Sequence, residues 1–387
     1  MQNDVQKRSL EIHEKLRGKI EVCPKEKLTK ENLSLFYTPG VGAVSSHIAE
    51  HPEAAMTMTL RGNTVAVVSD GSAVLGLGNI GPLGALPVME GKAMLFKALA
   101  GVDAFPIVLN TQDTEAIIAT VKHLEPSFGA INLEDIAAPR CFEIERRLKE
   151  ELNIPVMHDD QHGTAMVVLS GLINALKVRG SDKREVRVVV SGAGAAGTAI
   201  VELLLSYGFE HVVVVDSQGA IARGREAMTP EKESLADITN LGCHDESTGA
   251  ACVRGDLSDA LKGADIFIGV SKGGVLNADL VRTMNADPII FALANPVPEI
   301  YPDEAKEGGA LVVATGRGDF PNQVNNALGF PGIFRGALDN GVTEITDEML
   351  VKAAENLAAI VENPTPDMII PSVFDKKVVP AVSAAIR

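Results

Sequence analysis

From about residue 60 the chain alternates short, β-branched apolar runs with longer amphipathic stretches. That is the pattern of strands joined by crossover helices, an α/β protein with parallel sheets. The runs predict strands at Thr64–Ser69, Phe105–Leu109, Ala130–Leu133, Pro155–His158, Val186–Ser191, His211–Val215, Ile266–Gly269, Ile289–Ala292 and Leu311–Ala314. Most are followed by a helical pattern. A polar patch, Lys177–Glu185, separates an apolar helix candidate, Thr164–Leu176, from the next strand. A second polar stretch, Gln218–Gly255, is a long excursion to which no chemistry attaches.

Composition narrows the classes. The 387 residues are 46% hydrophobic and 22% charged, enough to bury a sizeable core and to form two domains. The formal net charge of -16 argues against a nucleic-acid or anionic-membrane partner, which needs a local excess of Lys and Arg. No apolar run reaches transmembrane length and the N-terminus has no signal-peptide core, so a cytoplasmic protein acting on small molecules is expected. Cys23, Cys141, Cys243 and Cys252 are scattered without a C-x-x-C pair, and reduced, mostly buried thiols are expected.

G-x-G-x-x-G occurs twice, and context separates the two. At Gly192, Gly194, Ala195, Ala196 and Gly197 a strand leads in, the helix Thr198–Tyr207 leads out, and the next strand ends in Asp216. This is a complete dinucleotide-binding βαβ unit, with phosphates expected at the positive end of the helix. Asp216 would accept both ribose hydroxyls and repel a 2′-phosphate, favouring NAD, although Arg223 and Arg225 could fold back toward NADP. The second occurrence, Gly76 to Gly81, runs into Pro82 and Pro87 and reads as a structural or substrate loop. We therefore expect two domains, 1–160 for substrate and metal and 161–387 for the dinucleotide. Each would be a mainly parallel sheet flanked by helices, the second of Rossmann type with a C-terminal helical segment.

Two acidic pairs end successive strands, Glu134-Asp135 and Asp159-Asp160. The carboxyl ends of parallel strands share one edge, so both pairs can converge, and clustered carboxylates are favourable only around a cation such as Mg²⁺ or Mn²⁺. Oxygen-only ligands disfavour zinc. The competing reading is that each pair caps the following helix. His158 and His162 flank the second pair and are left out of the ligand set. Lys92, in an apolar helix start, is either an exposed lysine or, beside a metal, a base with a depressed pKa. Tyr37 sits in the turn Tyr37-Thr38-Pro39-Gly40, and spacing alone assigns it no role.

The segments FYTPGVG, LGLGNIGPLG, MEGKAMLF, NLEDIAAP, HDDQHGTA, SGAGAAG, FALANPVPE and NQVNNALGFPG, in that order from about residue 30 to 335, closely resemble the malic enzyme family. The length is similar to that of the short prokaryotic forms. The resemblance implies Tyr37 as general acid, Lys92 as general base with Asp159 orienting it, and Glu134, Asp135 and Asp160 as metal ligands. Gly194 to Gly197 and Asp216 would hold the cofactor, and Asn295 and Asn326 would contact substrate and nicotinamide. One departure stands out. Where many larger members carry a carboxylate-gripping arginine before LGLG, this chain reads Gly71-Ser72-Ala73-Val74, leaving Ser72 and backbone amides as substitutes.

The activity so implied is oxidative decarboxylation of malate to pyruvate and CO₂, with NAD or alternatively NADP reduced, in a homodimer or higher homo-oligomer in which Tyr37 could serve its own site or the partner's. Two rivals remain. A metal-free 2-hydroxyacid dehydrogenase would use His162 with Asp159 or Asp160 as its base. A non-catalytic NAD-binding regulator would have no reason to keep so costly a carboxylate cluster.

Overall fold

The structure, a computed structural model, describes residues 2–244 and 252–387. The chain opens with helices at Gln2–Leu16, Leu33–Phe36 and Val41–Glu50. None of the described side chains before Thr64 is buried, although Lys19 and Arg61 bond to the body of the protein. Burial begins at β1 (Thr64–Ser69), which pairs in parallel with β2 (Asp103–Val108) and β3 (Ala130–Leu133), while β4 (Val156–His158) pairs with β3. The resulting order is β2-β1-β3-β4. Alternate residues of β1 serve opposite faces. Ala66 and Val68 pack with Ile117, Val121, Ile144 and Leu148 of the helices on one side. Val65 and Val67 face Met89 and Phe96 on the other.

The second sheet is built from β5 (Arg187–Ser191), β6 (His211–Asp216), β7 (Gly219–Ala220), β8 (Ile266–Gly269), β9 (Ile289–Ala292) and β10 (Val312–Thr315). Its order is β10-β9-β8-β5-β6-β7, with only the β6/β7 pair antiparallel. The Thr164–Arg179 helix lies between the sheets and is buried nearly all round, from Ala165 to Leu176. One continuous core therefore joins Val65 and Phe96 to Val188, Val190 and Phe291. The fold is the α/β arrangement expected, with two mainly parallel sheets flanked by helices.

Four differences from the sequence reading have physical causes. The helix carrying Lys92 runs from Gly81 to Ala100, with Pro82 in its first turn, where a missing N–H is harmless, and Pro87 inside it. Lys92 is thus in mid-helix, not at a helix start. The excursion after β6 contains β7 and the helix Pro230–Ile238; its polar surface hid both. The thiols are not all reduced, because Cys243 and Cys252 form a disulfide, with Cα atoms 4.4 Å apart. The fold of the excursion supplies this proximity, which a search for C-x-x-C does not sample. Cys23 is exposed and Cys141 buried. Finally, β4 passes through one π-helical turn, Asp159–Gly163, before the long helix, a geometry that sequence periodicity does not encode. Among the described residues no helix is long and apolar enough to cross a membrane.

Candidate active site

Strands of both sheets end at a shared cleft of about 1040 Å³, as expected for parallel sheets whose carboxyl ends open on a crevice. From the first sheet come Glu134, Asp135 and Asp160, with Lys92 from the Gly81–Ala100 helix. From the second come the Gly194–Ala196 loop, Ser271, Asn295 and, beyond β10, Asn326.

Glu134 follows β3 directly, and Asp135 then adopts the left-handed conformation at φ 53°, turning the chain so that its own N–H donates to Asp160 Oδ2 at 2.8 Å. One oxygen each from Glu134, Asp135 and Asp160 lies within 4.8 Å of the others. Lys92 Nζ reaches Asp159 Oδ2 at 2.5 Å and Glu134 Oε1 at 2.8 Å, and Asn132 Nδ2 donates to Glu134 Oε2 at 2.9 Å. Burial above all pushes the Glu134, Asp159 and Asp160 carboxyls above the usual range, with Lys92 pulling the other way. A hard divalent cation suits this donor set, since its ligands are all oxygen and it would offset the cost of keeping them ionised.

Lys92 is buried and is not the exposed lysine of the competing reading. Burial opposes its charge most strongly, but Asp159, Glu134 and Asp160 together outweigh burial and hold the ammonium above its ordinary pKa. A depressed pKa is the expectation for this lysine beside a metal, whose charge would oppose that of the acids.

Two residues that sequence reasoning missed support this turn. Glu145, fully buried, accepts from the His158 N–H at 2.9 Å and from Gln161 Nε2 at 3.1 Å, and bonds His162 Nε2 at 3.0 Å. The available signal was an acid inside the buried helical stripe Cys141, Ile144, Glu145, Leu148. Gly163 is the other. A Cβ there would lie 1.8 Å from Asp159 Oδ1, so only glycine lets that carboxylate fold against the backbone. His162, the base a metal-free dehydrogenase would need, is thus turned to Glu145 and does not line the cleft.

In the dinucleotide loop Gly192 has φ 123° and a Cβ on Gly197 would meet Gly192 O at 1.9 Å. Both glycines are needed for the turn itself. A Cβ on Gly194 would meet nothing within 4 Å, so this position faces open cleft beside the uncapped N-terminus of the Ala195–Tyr207 helix. The chain fits a pyrophosphate there. Asp216 differs from its expected state. Arg225 grips it with two N–H groups at 2.9 and 2.7 Å, Lys232 adds a contact at 2.7 Å, and the Gln218 N–H a fourth at 2.8 Å. Arg223 goes to Asp237 instead.

The remaining candidates divide. Asn295 and Asn326 line the cleft, and Gly76 of the second glycine motif packs against the Asn295 carbonyl, where a Cβ would come within 2.0 Å. That motif is a structural joint between the two halves. Tyr37 is not brought to the cleft of its own chain: it is 68% exposed and absent from the lining. Ser72 is already committed, donating to Asp70 Oδ1 at 2.5 Å and accepting from the Ala137 N–H at 2.8 Å.

A dinucleotide loop and an acid-lined, lysine-bearing cleft at the ends of two parallel sheets define a two-sheet α/β dehydrogenase. Matches to known proteins narrow the class. Residues 17–149 match the family described as "Malic enzyme, N-terminal domain", and residues 161–386 match "Malic enzyme, NAD binding domain"; the chain belongs to the malic enzyme family. It is 54% identical to the bifunctional malic/malolactic enzyme of Bacillus subtilis, over 98% of this chain and 91% of that protein. It is also 54% identical to the NAD-dependent malic enzyme of Geobacillus stearothermophilus, over 95% and 76%. The crystal structure of the NAD-dependent malic enzyme from Thermotoga maritima superposes with a TM-score of 0.92 at 54% identity, over 97% of this chain and 98% of that one.

Proposed function

We propose that the chain converts malate to pyruvate and CO₂ while reducing NAD or NADP, and that it depends on Mg²⁺ or Mn²⁺. The observation that carries this is the position of Lys92, buried between Asp159 and Glu134 in the same cleft as the open Gly194 loop. Glu134, Asp135 and Asp160 would hold the cation, which supplies Lewis-acid polarisation of the substrate C2 oxygen. A cation on Glu134 and Asp160 would offset the charges that hold the Lys92 proton, and Lys92, so freed to act in its neutral form and aimed by Asp159, would take the C2 hydroxyl proton as hydride leaves C2 for the nicotinamide. Asn295 and Asn326 position substrate and nicotinamide. The carboxylate on C3 then leaves as CO₂, and Tyr37 returns one proton to C3, so that no net proton is exchanged.

Tyr37 would come from a second copy of the chain. Support lies in its exposure and in the exposed apolar row Leu33, Leu35, Phe36 and Val44 around it, a surface that a homodimer would cover. At the ribose end, Arg225 and Lys232 neutralise Asp216, which favours use of both cofactors over strict NAD selection. The two sheets and the two family segments favour a domain division near 160/161. An initial-rate assay with malate, each cofactor and each metal, with CO₂ measured, tests the proposal; oxaloacetate accumulating without CO₂, or metal-independent turnover, would refute it.

A further inference from the structure

The residues lining the cleft include two lysines, Lys92 and Lys19. Lys92 is committed to Asp159 and Glu134. Lys19 has no function so far, and its setting is unusual for its segment. Between residues 4 and 31 the chain is exposed except at His13, Gly18 and Lys19. The Lys19 N–H donates to Glu90 Oε2 at 3.2 Å and its Nζ donates to Pro87 O at 2.5 Å. A Cβ on Gly91, the neighbour of Lys92, would lie 3.6 Å from that Nζ. The ammonium therefore rests on the helix that carries Lys92. Among the described residues it makes no ion pair within 4.0 Å, and two of its three N–H groups remain available. Burial lowers its pKa, with Glu90 opposing.

The cleft's charge makes this cation significant. Glu134, Asp159 and Asp160 share Lys92, and a divalent cation would leave no excess positive charge beside them. A dicarboxylate then brings two further negative charges, one of them remote from the chelated end. Ser72 is occupied, and Arg140 is turned away to Asp70 Oδ2 at 2.8 Å. Asn295 and Asn326 are neutral. We infer that Lys19 is the cationic partner of the substrate's second carboxylate, and so the residue that makes the site select dicarboxylates. The inference rests on the proposed malate chemistry. A cation on the departing carboxylate stabilises bound substrate and not the loss of CO₂, so Lys19 should act on KM and spare kcat.

The test compares wild type with Lys19→Ala and Lys19→Arg, using malate and lactate, which shares the hydroxy-acid end and lacks the second carboxylate. Lys19→Ala should raise the malate KM by roughly 10- to 100-fold, that is about 1.4–2.8 kcal/mol. Its kcat, its KM for the dinucleotide and its inhibition constant for lactate should stay within about twofold, while Lys19→Arg recovers most of the loss. Calorimetric titration of malate and lactate into the metal-loaded proteins reads the same difference without turnover, so it remains decisive if the wild type decarboxylates nothing. An unchanged malate affinity in Lys19→Ala, or a parallel loss for lactate, overturns the inference.

Discussion

The Lys92 ammonium lies 4.3 Å from the centre of the Phe330 ring, so a side chain from the far end of the sequence roofs the proposed base. Phe330 is itself fully buried and meets Phe96 edge-on at 4.7 Å. The ring keeps water from one side of Lys92 and contributes a cation–π attraction of about 0.5–2 kcal/mol. Phe330→Leu preserves most of the volume and should lower unfolding free energy by only about 1 kcal/mol. It should nevertheless reduce kcat/KM for malate about tenfold with dinucleotide affinity unchanged. Denaturant unfolding and initial rates measure the two; unaltered malate kinetics would reduce the ring to packing.

Glu145 yields a pH prediction. Burial alone would raise its carboxyl, but His162 and Lys149 overcome it and hold the group well below its ordinary value. A depressed carboxylate contributes stability above its unfolded pKa and loses it as pH falls toward the folded one. The wild type should therefore lose stability progressively below about pH 4.5. Glu145→Gln should be less stable at neutral pH by roughly 1.5–3 kcal/mol, with a flatter acid limb. Parallel acid limbs in the two proteins would contradict the linkage.

What the sequence makes legible depends on which signals are local. The strands are legible because their apolar runs are continuous, without the polar alternation of a half-exposed strand: Thr64–Ser69 and Val188 to Val190 are buried on both faces. The acids and Lys92 stand out as polar groups at strand ends and in an apolar stretch, and the fold does gather them. Glu145, Gly163 and the Asp216 partners are not legible in this way. Their meaning depends on contacts across the fold, such as Lys232 reaching Asp216 from inside the polar excursion. Tyr37 is a different case: a motif names it, and the fold of a single chain does not bring it to that chain's cleft.

The saturation of Asp216 gives its part in cofactor choice a second physical basis. All its acceptor positions are taken by Arg225, Lys232 and the Gln218 N–H. Removing the acid leaves two cations with no partner where a 2′-phosphate would sit. Asp216→Ala should raise kcat/KM for NADP at least tenfold relative to NAD, about 1.4 kcal/mol, and Lys232→Ala should shift the ratio the other way. Measured ratios that do not move in either variant would show that the ribose end lies elsewhere.

Tyr37 tests both its role and its origin. A phenol, a stronger acid than an alcohol, donates a proton to an enolate carbon more readily than it takes one from a hydroxyl. Tyr37→Phe should therefore still form NADH, more slowly, while releasing enolpyruvate that picks up deuterium from D₂O without stereospecificity. Because the residue is exposed and absent from the cleft of its own chain, the proposed donor role is best served from a second subunit. Co-expressing Tyr37→Phe with Lys92→Ala then becomes informative. Mixed dimers would place both defects in one site and leave the other intact, so random pairing should restore about a quarter of wild-type stereospecific turnover. Each variant alone should stay far below that level. If the mixture gives no more than the average of its parents, Tyr37 acts within its own chain, and the N-terminal segment must fold onto the cleft during catalysis.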